Sequence, residues 1–295
     1  VRRVAAFAVA AALSTAPRAA SACAVCAADD PTMTASGAEQ PFLHRLRVDV
    51  EALVGGVGEA APDGRWLSLD DRRLSVTTAY APSRDVLVSL VVPVLDRTLF
   101  DGAKHATTLT LGDVDLRVYD VAWRRDERTR RRFAFLAGVR APSAPVERDA
   151  RGAPLPVDLE PGCSSIVPYV GVAYVAERGA LSMQLSAVVA LPFSVRDAPH
   201  AGDSFRTSAW LQTQPARSFA ARFGVRTRLD STGEIAPGNP DLDSGGFAGY
   251  VTSDLVFSPA EDVVVSVGAA FPVIQAWLGE HRETAIGSAQ LAYDF

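Results

Sequence analysis

From residue 43 to the last residue, apolar side chains recur at alternate positions in runs separated by turn-forming residues. In 217–229, Phe219, Ala221, Phe223, Val225 and Leu229 share one phase, while Arg222, Arg226 and Arg228 share the other. Segment 262–275 carries a stripe of Val263, Val265, Val267, Ala269, Phe271 and Val273. Segment 180–194 sets Leu181, Met183, Leu185, Val189, Leu191 and Phe193 against Ser182, Gln184 and Ser186. Successive side chains of a strand point to opposite faces, so each run predicts a strand with one apolar and one polar face. Twelve such strands are expected near 43–54, 65–80, 85–95, 109–124, 131–141, 165–177, 180–194, 204–214, 217–229, 246–258, 262–275 and 283–295.

The connections between them alternate in length. Short ones fall at 81–84, 125–130, 178–179, 215–216 and 259–261. Longer ones fall near 55–64, 96–108, 142–164, 195–203, 230–245 and 276–282. Tight turns at one end and extended loops at the other define an all-β, antiparallel up-and-down transmembrane barrel, and an even strand count brings both termini to one side. A soluble β-sandwich alternates too. Its strands are usually five or six residues long, however, and it would need a solvated face for the charges that recur in mid-strand.

Charges on the polar phase decide which face is which. Arg45, Arg47, Asp49 and Glu51 lie on the first strand, Asp71 and Arg73 on the second, and Asp113, Asp115 and Arg117 on the fourth. Arg222, Arg226 and Arg228 follow on the ninth and Asp254 on the tenth. Facing lipid, each basic group would cost about 2–4 kcal/mol near the midplane, so these residues are expected to line the lumen. Two arrangements are open: a transverse field across a narrow pore, or a salt-bridged ladder that fills it. Twelve strands leave a lumen between that of a filled eight-stranded barrel and a sixteen-stranded porin.

Composition agrees. The chain is 48% hydrophobic yet balances 29 basic against 34 acidic residues, a formal net charge of -5 that argues against a nucleic-acid partner. No run after the N-terminus has the 18 or more consecutive apolar residues of a membrane helix. At the start, Arg2 and Arg3, the apolar run Val4–Leu13 and Ala20-Ser21-Ala22 form the pattern of a cleavable signal peptide over 1–22. Residues 23–42 then form a tail, in the periplasm or in the lumen as a plug, and 43–295 the barrel. At the other end Leu291, Tyr293 and Phe295 share the outward phase, with Ala292 and Asp294 inward. A terminal aromatic on an outward strand face is similar to the signal that presents a barrel to its assembly machinery for insertion among outer-membrane lipids. Tyr80, Trp123, Phe133, Tyr293 and Phe295 are expected at the periplasmic girdle, and Trp66 and Trp277 at the outer one.

Cys23 and Cys26, spaced CxxC in the tail, suit a local disulfide in an oxidising compartment. A lipidated Cys23 is the alternative. Ala27 stands where c-type haem attachment needs His, and no cofactor or metal is expected. His44, His105, His200 and His281 form no recognisable Ser-His pattern. The acidic loop with Asp230, Glu234, Asp241 and Asp243 lacks calcium-loop spacing.

Four stretches carry a family resemblance. Gly112-Asp113-Val114-Asp115-Leu116-Arg117 opens a strand, and Phe135 to Arg140 lead through Ala141-Pro142 into a long loop. Pro161-Gly162-Cys163-Ser164-Ser165 then precedes Pro168-Tyr169-Val170-Gly171-Val172-Ala173-Tyr174. This order resembles the outer-membrane proteins grouped as "MetA-pathway of phenol degradation" and related transporters. The chain departs from them at Cys163, where small residues are usual, and at Ile166 or Val167, where an acidic residue often follows. The resemblance implies passage of small hydrophobic or aromatic solutes. With the terminal signals it leads to the expectation of a Gram-negative outer-membrane barrel, and the histidines to that of a protein that is not an enzyme. The alternatives are a structural or surface-interaction barrel with a filled lumen and, less favoured, a barrel-embedded lipid hydrolase.

Overall fold

The computed structural model describes residues 43–295, apart from 61–63, 103, 127–128, 150–151, 153–154, 156–158, 196–198, 217 and 237. The expected signal peptide, the tail and the Cys23/Cys26 pair lie outside the described residues. Among those described, twelve strands close on themselves. They are β1 (Leu46–Ala60), β2 (Trp66–Tyr80), β3 (Val86–Asp101), β4 (Lys104–Leu111 continued by Val114–Asp126), β5 (Arg130–Ala141) and β6 (Ser165–Arg178). There follow β7 (Leu181–Ala190), β8 (Ser204–Ala216), β9 (Phe219–Asp230), β10 (Gly246–Ala260), β11 (Val263–Trp277) and β12 (His281–Glu283 continued by Ile286–Asp294). Each pairs antiparallel with its neighbours. β1 pairs with β2 from Leu46↔Tyr80 to Ala60↔Trp66, and with β12 from Arg47↔Asp294 to Glu59↔His281. The seam is therefore closed by hydrogen bonds, and among the described residues each of the twelve barrel strands has a neighbour on both sides.

The alternating phases divide as expected between outside and inside. Leu181, Met183, Leu185, Val189, Phe223, Val225, Leu229, Val267, Phe271 and Val273 are all exposed on the outer surface, and so are Leu291, Tyr293 and Phe295. Ala292 and Asp294 are buried. An apolar exterior this extensive around a closed barrel is a lipid-facing surface. Phe133 stacks edge-on against Phe135, and Tyr293 against Phe295 at 4.6 Å, at the short-turn end.

Three expectations change. The loops foreseen near 55–64 and 96–108 are mostly ladder. β1 and β2 stay paired up to Ala60↔Trp66, and β3 pairs with the first segment of β4 up to Asp101↔Lys104. Beyond the apolar band these hairpins are held by the backbone ladder and by inward side chains such as Val57, Leu67, Leu69 and Leu99, with no lipid-facing stripe required outside. Segment 180–194 is divided: β7 stops at Ala190, and Phe193–Ser194 instead pair with Ser165 and Ile166 of β6. Trp277 leaves the outer girdle. A register shift at Gly249/Tyr250, opposite Ile274 and Pro272, reverses the phase of the end of β11. The Trp277 ring consequently lies 4.8 Å from the Arg228 guanidinium and edge-on to His281, both of which are buried.

Candidate functional site

The barrel interior gathers most of the charged residues singled out from sequence. Arg47, Asp49, Arg73, Asp115, Arg117, Arg226 and Arg228 are buried, and Glu51, Asp71, Arg222 and Asp254 are half-buried. Arg45 sits at the exposed rim, its Nη1 2.7 Å from Asp262 Oδ1. Asp113 has a different task. It occupies the break in β4 and accepts from the backbone N–H of Ala144 (3.0 Å) and of Cys163 (2.6 Å), fastening both ends of the 142–164 loop to the wall. Cys163, expected on an external loop, is buried with Leu95, Val167 and Ala201.

Opposite charges meet locally. Arg47 holds Asp294 through two bonds of 2.6 Å across the β1–β12 seam, and Gln290 donates to Asp49 beside it. Arg117 grips Asp115 two residues away, at 3.0 Å from Nε and 2.9 Å from Nη2, while Tyr169 Oη donates to the other carboxylate oxygen (2.6 Å). Tyr169 reaches it by lying over Gly138, its cross-strand partner, where any Cβ would collide with the phenol ring. Arg73 lies 3.8 Å from Asp71. At the long-loop end Arg228 is ion-paired with Asp230 (2.8 Å) and donates to Glu283, Tyr250 Oη donates to Glu283, and Arg226 stacks 4.7 Å over the Tyr250 ring. Arg47–Asp294 and Arg117–Asp115 close between neighbours or within a strand and so satisfy buried charges without a partner across the lumen, whereas Arg228 and Tyr250 reach Glu283 over intervening strands.

Several participants escaped the sequence reading. Arg97, Glu147 and Glu160 fell inside expected loops. Arg132, Arg140 and Arg206 are buried on strands whose phase could have marked them, since Arg132 and Arg140 alternate with the exposed Phe135 and Val139. Arg97 is the centre of a latch. It is 1% exposed, and it binds Glu147 Oε2 at 2.8 Å and the Leu159 carbonyl at 2.5 Å. Arg65 adds a bond of 2.9 Å to Asp149. These hold the 142–164 loop so that Leu155 and Leu159 pack on Val57, Leu67, Leu69 and Leu99, which face inward from β1, β2 and β3. The described residues Leu155 and Leu159 are thus folded into the mouth of the barrel. Glu160, fully buried there, accepts from the Glu147 N–H (3.0 Å), and burial pushes its carboxyl up to about 7.

The short-turn end is not filled. A cavity of about 450 Å³ lies there, lined among others by Arg132, Glu177, Trp210, Gln212, Arg222 and Val256. Arg132 pairs with Glu177, and Arg222 donates from Nε to Gln212 Oε1 at 2.8 Å.

The chain matches no family model and no curated protein. Solved structures do resemble it. An outer membrane channel from Pseudomonas putida F1 superposes with a TM-score of 0.68 at 11% identity, over 89% of this chain and 100% of that one. The transport unit of the autotransporter AIDA-I from Escherichia coli gives 0.50 at 9% identity, over 85% and 90%. The monoaromatic hydrocarbon channel TodX, as a deletion mutant, gives 0.47 at 9% identity, over 86% and 90%. The first of these bears out the fold: a barrel of the outer-membrane type.

Proposed function

We propose that the protein is an outer-membrane channel or transporter for small solutes, hydrophobic or aromatic ones among them, and acts without catalysis. The observation that carries this reading is the cavity of about 450 Å³ at the short-turn end. A barrel built only to hold its shape gains nothing from an unfilled interior, since empty volume forfeits packing contacts. The resemblance to the phenol-degradation outer-membrane proteins and the likeness to a Pseudomonas channel point the same way. On this reading the 142–164 loop closes the outer mouth, and passage requires it to move. The outward Leu291, Tyr293 and Phe295 would be the face offered to the assembly machinery and then to lipid.

A second reading is a structural barrel with a closed lumen, favoured by the local ion pairs and the docked loop. Conductance of the folded protein in a planar bilayer separates the two. Discrete current steps are expected for a channel. A folded, heat-modifiable barrel that stays electrically silent under all voltages and supports no solute uptake into vesicles would leave the structural reading.

A further inference from the structure

We infer that the short-turn cavity is a binding site for a small organic anion with an apolar body, a monocarboxylate carrying a ring being the type. The inference rests on the channel reading for its biological use, but the site itself is defined by its lining. Three arginines, Arg130, Arg132 and Arg222, face a single carboxylate, Glu177, around the cavity. Arg132 is already engaged by Glu177. Arg222 is differently placed. Its Nε is fixed by Gln212 Oε1 at 2.8 Å, which orients the guanidinium and leaves the two terminal nitrogens as a fork for a planar anion. Asp254 stands opposite Arg222 in the β9–β10 register but does not line the cavity, so it tempers the charge without occupying the fork.

The apolar half comes from Trp210. This residue is buried on the inner face of β8, with its six-membered ring against Gly224, where a Cβ would meet Cδ2 and Cε3 at 2.8 Å. The ring forms part of the lining together with Val175, Ala220 and Val256. A volume of about 450 Å³ falls within the range of small-molecule sites, which are largely apolar with a few placed polar groups. An aromatic surface beside an oriented guanidinium suits a carboxylate on a ring better than either a simple anion or a neutral ring.

Calorimetry on the full chain folded in detergent tests this, with benzoate as the probe and benzyl alcohol and acetate as its uncharged and ringless counterparts. Benzoate should bind at least about tenfold more tightly than either, because both the charge-assisted bonds and the apolar contact are then made. Arg222→Gln should weaken benzoate about tenfold and leave benzyl alcohol unchanged. Trp210→Phe should weaken benzoate less than Trp210→Ala does, and Asp254→Asn should strengthen it. Heat-modifiability on gels confirms that each variant is folded, and Trp210→Phe serves where the alanine variant does not fold. Equal binding of all three probes, no binding, or benzoate affinity indifferent to Arg222→Gln would overturn the site. Conductance is read separately. A conducting barrel that ignores benzoate refutes the site and keeps the channel, whereas a silent barrel that binds benzoate does the reverse.

Discussion

Replacing Arg97 with Ala should free the 142–164 loop from the outer mouth. The side chain is 1% exposed and its guanidinium serves Glu147 at 2.8 Å, the Leu159 carbonyl at 2.5 Å and, more distantly, Asp71 at 3.9 Å. Breaking a buried pair from one side costs about 3–5 kcal/mol, because the carboxylate left behind has lost its compensation. The low end applies here. Asp71 keeps Arg73 nearby at 3.8 Å, and Glu147 retains some exposure. Leu155 and Leu159 remain docked against Val57, Leu67, Leu69 and Leu99, each side chain contributing about 1.5–3 kcal/mol, so the loop does not simply fall out. A loss of about 3 kcal/mol raises the population of the released loop about 10²-fold. Tryptic cleavage after Arg148, in the same loop, reads that population when reclosing is faster than cutting. The variant should therefore be cut about a hundred times faster while the barrel itself stays heat-modifiable. Arg97→Lys, which keeps the charge but not the fork, should fall between. A folded Arg97→Ala barrel cleaved at the original rate would refute the latch.

Other consequences are open to measurement. Glu160 has its carboxyl pushed up to about 7 by burial, against 4.5 in a released loop, so its own contribution to docking is fully present below pH 4.5 and roughly 3 kcal/mol of it is lost as pH rises through 7. Loop cleavage, normalised to that of a free peptide, should thus rise from pH 5 to 8, and Glu160→Gln should flatten the rise. Gly138→Val would force a side chain into the Tyr169 ring and against the Leu116 carbonyl, and a loss of about 1–3 kcal/mol is expected in the denaturant midpoint of vesicle-folded protein. Adding Tyr169→Ala should recover part of it. Val225→Arg places a charge on the exposed outer face of β9 and should cost about 2–4 kcal/mol in the same assay. A neutral result there would show that Val225 does not face lipid.

Local chemistry was enough to specify the wall. Period-two alternation, checked by the cost of basic groups in lipid, separated the outward Phe223, Val225 and Leu229 from the inward Arg226 and Arg228, because facing on a strand depends only on position along it. The same rule oriented Asp294 and Phe295 at the terminus. It failed where alternation is not obligatory or is interrupted. Beyond the apolar band the β1–β2 and β3–β4 hairpins are held by backbone hydrogen bonds, and at Gly249/Tyr250 one extra residue turns Trp277 inward. The interior was less legible still. That Arg97 would clasp a loop fifty residues later and that Asp113 would fasten the loop's two ends are properties of the tertiary structure, and that Trp210 and Arg222 would share a cavity depends on the β8–β9 register. Sequence spacing determines which face a side chain takes. Only the closed barrel, which fixes neighbours across the lumen and leaves a mouth for the loop to enter, decides what that side chain meets.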